Sequence, residues 1–161
     1  MAVDMFLDIK GEIKGESQDS KHKDEIDVLA WSWGMSQSGS FHVGGGGGAG
    51  KANFQDISVT KWIDTASPIL MLYCANGDHF DNATLVVRKA GKLPLEYLTI
   101  KMKNVLVTSV STGGSGGEDR LTENVTLNFR DVKVEYKAQK PDGTADTAKE
   151  FGWNIAENKQ L

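Results

Sequence analysis

The chain has 161 residues, enough for one domain with a single core and too few for two full ones. Its 18 basic against 22 acidic residues leave a net charge of −4, which provides no global electrostatic drive toward nucleic acid or anionic lipid. The longest apolar run, Ile69 to Ala75, falls far short of the ~20 residues of a membrane-spanning helix.

The opening segment carries Asp4 and Asp8 where a secretory signal needs a basic stretch followed by an apolar one, so synthesis in the cytoplasm without a signal peptide is expected. A single cysteine, Cys74, excludes an intrachain disulfide and a thiolate zinc site, and its apolar surroundings make it a small core residue. Val, Ile and Thr together number 30 and Gly 18, with only 3 Pro, the composition of strands joined by flexible turns.

The first strand places Met5, Leu7, Ile9 and Ile13 at odd positions with Asp8, Lys10 and Glu12 between them. Phe6 falls on the polar side, an exposed apolar group. Residues 16–25 read as a solvated loop. In Ile26–Ser36, Leu29, Trp31, Trp33 and Met35 share one face, expected to be the core face. Ala30, Ser32, Gly34 and Ser36 form the opposite face.

From Gln37 to Gln55 no periodicity is visible. The centre, Gly44, Gly45, Gly46, Gly47, Gly48, Ala49 and Gly50, is expensive to order. The run ending at Lys51 fits a phosphate-binding pattern only superficially: Ala52 stands where a hydroxyl must ligate magnesium, and no helix follows.

Ile57, Val59 and Ile63 mark another strand, with Trp62 on its other side. Ser67 as cap, Pro68 in the first turn and Asn76-Gly77 at the end define one short helix. It is apolar nearly all round and so expected to pack between elements. Strands follow near Leu85–Lys89, Leu95–Val110 and Leu121–Tyr136. The last two change face in mid-course: Ile100 and Met102 are even but Val105 and Val107 odd, while Val125, Leu127 and Phe129 are odd but Val132, Val134 and Tyr136 even. Such strands need a bulge or a tight turn and suit the corner of a barrel or sandwich. After the turn at Lys140–Gly143, residues 151–155 form a last strand returning to the sheet.

No arrangement of catalytic groups emerges. His22, His42 and His79 lie in separate loops without metal-ligand spacing and read as solvated or interface residues. No nucleophile elbow is present, and the acidic clusters suit solvated loops. No enzyme, cofactor or metal is expected.

Two long motifs carry more. The segment Glu25-Ile-Asp-Val-Leu-Ala-Trp-Ser-Trp-Gly-Met-Ser-Gln-Ser-Gly-Ser40 closely resembles the hemolysin-coregulated protein family of bacterial type VI secretion. So do Ser111–Phe129, the opening Met1-Ala-Val-Asp-Met-Phe6 and the closing Gly152-Trp-Asn-Ile155. The resemblance spans essentially the whole chain, 1–161, as a single domain. It implies a mainly β fold: a two-sheet β-barrel or sandwich with one short helix and a long protruding loop.

It further implies six-membered rings that stack into a hollow tube, whose partners are a contractile sheath, a valine–glycine-repeat spike protein and small effector proteins held in the lumen. Secretion through that system follows. In these terms Ala30, Ser32, Gly34 and Ser36 face the lumen. Phe41, His42, Gly44–Gly48, Gly50, Lys51 and Phe54 belong to the ring-stacking loop, and Phe6 and Trp62 are candidates for the subunit interface. The alternatives are a monomeric β-sandwich binding module and an effector with activity on its loops.

Overall fold

The computed structural model describes residues 3–9, 13–39, 41 and 50–161. Among these the chain forms β1 (Val3–Ile9), β2 (Ile26–Ser32), β3 (Met35–Gln37), β4 (Ala52–Phe54), β5 (Ile57–Trp62) and α1 (Ser67–Asn76). Then come β6 (His79–Lys89), β7 (Leu95–Thr112), β8 (Thr122–Tyr136), β9 (Lys149–Asn154) and β10 (Lys159–Gln160).

The strands pair in the order β10-β9-β8-β5-β2-β1-β6-β7, and β7 pairs again with β8. The second pairing closes six antiparallel strands into a barrel, with its shortest seam between β1 and β2, where only Phe6–Asp27 and Leu7–Ile26 pair. The core is the barrel interior, filled by Leu7, Ile26, Ile57, Val59, Leu85, Ile100, Met102, Val105 and Leu127, each at most 2% exposed. The mainly β reading, with one short helix, holds.

The mid-strand change of face is a feature of three strands together. Interior residues are spaced by three at Phe80 and Ala83, at Met102 and Val105, and at Phe129 and Val132. In register, Phe80 faces Val105, which faces Phe129; Ala83 faces Met102, which faces Val132. The register does not shift across this level, since Asn82, Lys103 and Asp131 also align, although Asn104 pairs with neither neighbour. β6, β7 and β8 therefore turn the barrel corner in concert rather than through a bulge in one strand. Asn104 supplies the kink with φ 53°, a left-handed conformation that Asn tolerates better than branched residues. Beyond the corner β9 replaces β5 as the partner of β8, which is the expected final strand.

In three places the elements differ from expectation. The stretch 26–36 is not one strand. Its register with β5 shifts between Val28 and Ala30, so Ile26 and Val28 point inward, Leu29 is the extra residue at 38% exposure, and Trp31 then turns toward the core opposite Val59. Trp31 and Trp33 are half-buried against the core and Met35 is 47% exposed, so the core face runs through Ile26, Val28 and Trp31 instead of Leu29 to Met35.

Helix α1 packs on one side only. Ala66, Leu70 and Tyr73 are buried, whereas Met71 and Leu72 are 40% and 56% exposed. Ser67 does not cap it. Ala66 occupies the cap position without a side-chain bond, while Gly77 ends the helix at φ 71°, its N–H donating to the Tyr73 carbonyl. Finally, the third inward position of β5 is Lys61, and Ile63 lies beyond the strand.

Candidate assembly and lumen surfaces

The outward side chains of β2, β5, β8 and β7 align in two rows. Ala30 pairs with Thr60, Thr60 with Asn124, and Asn124 with Ser111; one step along, Ser32 pairs with Ser58, Ser58 with Thr126, and Thr126 with Ser109. Each row is small, polar and uncharged, and it lies directly over inward Val59, Val125, Ile57 and Leu127. Some of these side chains bond one another laterally. Thr60 Oγ1 donates to Asn124 Oδ1 at 2.7 Å, and the hydroxyls of Ser109 and Thr126 meet at 2.6 Å. Thr108, the extra residue where the β7–β8 register shifts, donates to Asp56 Oδ2 at 2.7 Å, and Asn128 Nδ2 reaches the other oxygen of Asp56 at 2.9 Å. Bonded in this way, the surface is smooth and rigid, with one carboxylate at its edge.

Of the four residues expected on the lumen face, Ala30 and Ser32 stand on these rows. Gly34 and Ser36 do not. The Gly34 carbonyl accepts from the Gln55 N–H at 2.9 Å as the chain leaves the barrel, and a Cβ there would come within 3.1 Å of Gln55 Oε1. Ser36 pairs with Asn53 in a separate two-stranded sheet.

That sheet is the base of the long loop. β3 and β4 pair from Met35–Phe54 to Gln37–Ala52, so a stretch without visible periodicity starts and ends as an ordered ribbon. Phe54 belongs to the ribbon itself: it stacks on Trp33 at 6.3 Å, and the Trp33 indole N–H donates to the Gln55 carbonyl at 2.9 Å. Gly50 is required where it stands, since a Cβ would approach Ser38 Oγ to 2.5 Å and Ser38 O to 2.9 Å. Phe41 is 89% exposed and Lys51 is exposed. His42 and Gly44–Gly48 lie outside the described residues.

The two interface candidates fare differently. Phe6 is not an exposed anchor: it is 4% exposed within its own chain, stacked on His22 at 4.4 Å with the Arg88 guanidinium 5.1 Å from its ring centre. The loop 16–25, expected to be solvated, folds over it and buries Ser17 and His22. Trp62 is half-buried under the Arg120 guanidinium, 4.4 Å from its ring centre, a cation–π contact that joins the end of β5 to the loop before β8.

His22 is therefore buried rather than solvated, while His79, at the start of β6, is exposed. Asp19, bonded to Arg88 through both oxygens at 2.9 and 3.0 Å, is held below the usual carboxylate range mainly by that bond. Burial pushes Glu25 up, opposed by its bond to His22, and burial likewise raises Asp27. Cys74 is half-buried on α1.

A charged cluster escaped the sequence reading. Lys61 is fully buried, its Nζ bonded to Glu123, to Asp64 Oδ1 at 2.8 Å, to the Trp62 carbonyl at 2.8 Å and to Ser67 Oγ at 3.2 Å. Ser67 also bonds Glu123 and accepts from the Asp64 N–H, so the cluster ties β5 and β8 to the first turn of α1. The signal was alternation: Lys61 continues the phase of Ile57 and Val59, and Glu123 that of Val125 and Leu127.

Among the described residues no group of three or more His, Cys, Asp or Glu is arranged to hold a metal ion.

The comparisons agree. The family model described as "Type VI secretion system effector, Hcp" matches residues 6–136. Protein hcp1 of Pseudomonas aeruginosa is 63% identical over 162 residues, covering 99% of each chain. Among solved structures, one described as a type six secretion system protein superimposes with a TM-score of 0.93 at 31% identity over 99% of this chain and 100% of its own. Hcp1 from Salmonella typhimurium gives 0.79 at 38% identity, with each chain fully covered. The class is thus the type VI secretion proteins built on a closed β-barrel. Within it, this chain belongs to the Hcp family.

Proposed function

We propose that the chain is the tube subunit of a type VI secretion system. Six copies form a ring, and rings stack into a hollow tube that is made in the cytoplasm and expelled. The partners are further copies of itself, a surrounding contractile sheath, a valine–glycine-repeat spike protein at the tip and small effector proteins in the lumen. The observation that supports this best is the uncharged hydroxyl–amide wall through Ala30, Thr60, Asn124, Ser32, Ser58 and Thr126. A wall without charge, in which Thr60 bonds Asn124 and Thr126 bonds Ser109, offers passing cargo little to adhere to. The channel is therefore slippery, and brief cargo contacts fall on residues such as Ser32. The exposed Phe41, beyond the end of the β3–β4 ribbon, supports the arm's role in reaching the next ring.

The test is Ser32→Gln. An exposed side chain on an open wall can lengthen without a clash, so native mass should show an unchanged assembly. The amount of co-purifying or lumen-dependent effector should fall. A variant that loses its assembly places Ser32 in a packed contact and removes the lumen reading.

A further inference from the structure

The loop 16–25 covers an apolar patch on the outside of the barrel, separate from the core. Phe6 on β1 pairs in register with Val86 on β6, and both are buried, at 4% and 7% exposure. The base of the loop is fixed by Glu16, which accepts from the Thr65 N–H at 2.9 Å, and by backbone bonds between Ser17 and both Asp24 and Glu25; two side-chain tethers hold its middle over Phe6. One is the doubly bonded pair of Asp19 and Arg88, which Asp4 joins at 3.2 Å. The other is His22, whose Nδ1 lies 2.9 and 3.0 Å from the two oxygens of Glu25 and whose Nε2 lies 2.7 Å from Glu96 Oε1, near the start of β7.

An ionised carboxylate only accepts hydrogen bonds, so His22 bonds both ionised partners at once only when both ring nitrogens carry protons. A neutral ring leaves a lone pair facing one of the carboxylates. We propose that His22 is a pH-dependent latch, which holds the loop 16–25 over Phe6 while its ring is doubly protonated and releases the His22 end of that loop when it is not.

The surroundings set the direction. The charged groups facing the latch are Glu25 and Asp19 from the loop itself, Asp4 and Asp8 from β1, Arg88 from β6 and Glu96 from β7. Guanidinium stays charged at any working pH, so the Arg88–Asp19 tether persists through neutrality and acts as the hinge side. Of the two tethers only that of His22 depends on a proton that rising pH can remove, so it is the one that lets go. Lys21 and Lys23 flank it and are exposed, which places two trypsin sites on the released end.

The measurement is the initial rate of tryptic cleavage after Lys21 and Lys23 in the intact protein at about pH 6 and about pH 8.5, each rate normalised to a free peptide of residues 16–25. The latch predicts normalised cleavage about tenfold faster at the higher pH, the size expected for losing one charge-assisted hydrogen bond. Two variants make the result specific. His22→Gln should be cleaved at the raised rate at both pH values. Glu96→Gln should be protected at both, because its amide can donate to a bare Nε2 as well as accept from a protonated one. Equal normalised rates for the unaltered chain at the two pH values, or a Glu96→Gln variant with the unaltered chain's pH dependence, would overturn the latch. Should His22→Gln fail to fold, the comparison of the unaltered chain with Glu96→Gln still decides.

Discussion

Lys61 and Glu123 are where a single residue matters most. Both charges are buried, and they are direct cross-strand partners on neighbouring strands of the barrel wall. Removing one member strands the other: Lys61→Met leaves Glu123 in an apolar interior and should cost about 3–5 kcal/mol of stability. The double variant Lys61→Met/Glu123→Leu should recover most of that loss, since a buried ion pair and an apolar pair of similar volume are often close in stability. Urea unfolding of the three proteins checks this. A double variant as weak as the single one would mean that the bonds to Ser67 and Asp64, rather than the charge pairing, fix the start of α1.

At the scale of elements, the concerted corner of β6, β7 and β8 depends on Asn104 at φ 53°. Asn104→Val should destabilise by about 1–2 kcal/mol through its branched Cβ in the left-handed region, while Asn104→Gly should be nearly neutral. Equal stability of the Val variant in denaturant titration would show that the corner is set by packing alone. The arm gives a second expectation. Deleting Gly44–Gly50 should leave six-membered rings intact while impairing tube assembly and secretion, because the barrel closes without it. Loss of the ring itself would make the loop structural within a ring.

How far these elements could be read from the sequence follows from what sets each one. The odd-to-even switches at Met102–Val105 and Phe129–Val132 were visible because burial imposes a strict period of two on each side of the corner. That the same level is crossed by Phe80 and Ala83 was not, because register between strands is a long-range property. Leu29 looked like a core residue because a bulge shifts phase without leaving a mark in composition. Phe6 and His22 were misplaced for one reason: a polar loop of ten residues gives no local sign that it will fold back and bury a ring. The β3–β4 ribbon went unseen because each of its strands is only three residues long, too short for a period to show.

For the whole molecule, the closed barrel fixes which surfaces remain for assembly. In the proposed assembly, copies meet through side-chain faces, through the loop based on β3–β4, through the β9–β10 extension, or at the β1–β2 seam, where only Phe6–Asp27 and Leu7–Ile26 pair. In the ring proposed above, the outer wall through Ser32 and Thr126 is the face left open, because its small uncharged side chains offer little to anchor a tight contact. The central claim is a ring of six with that wall inward, and native mass measurement of the purified chain at micromolar concentration addresses it most directly. The expected result is one dominant species at six times the 17.5 kDa chain mass. A sharply monodisperse single-chain mass under the same conditions would contradict it.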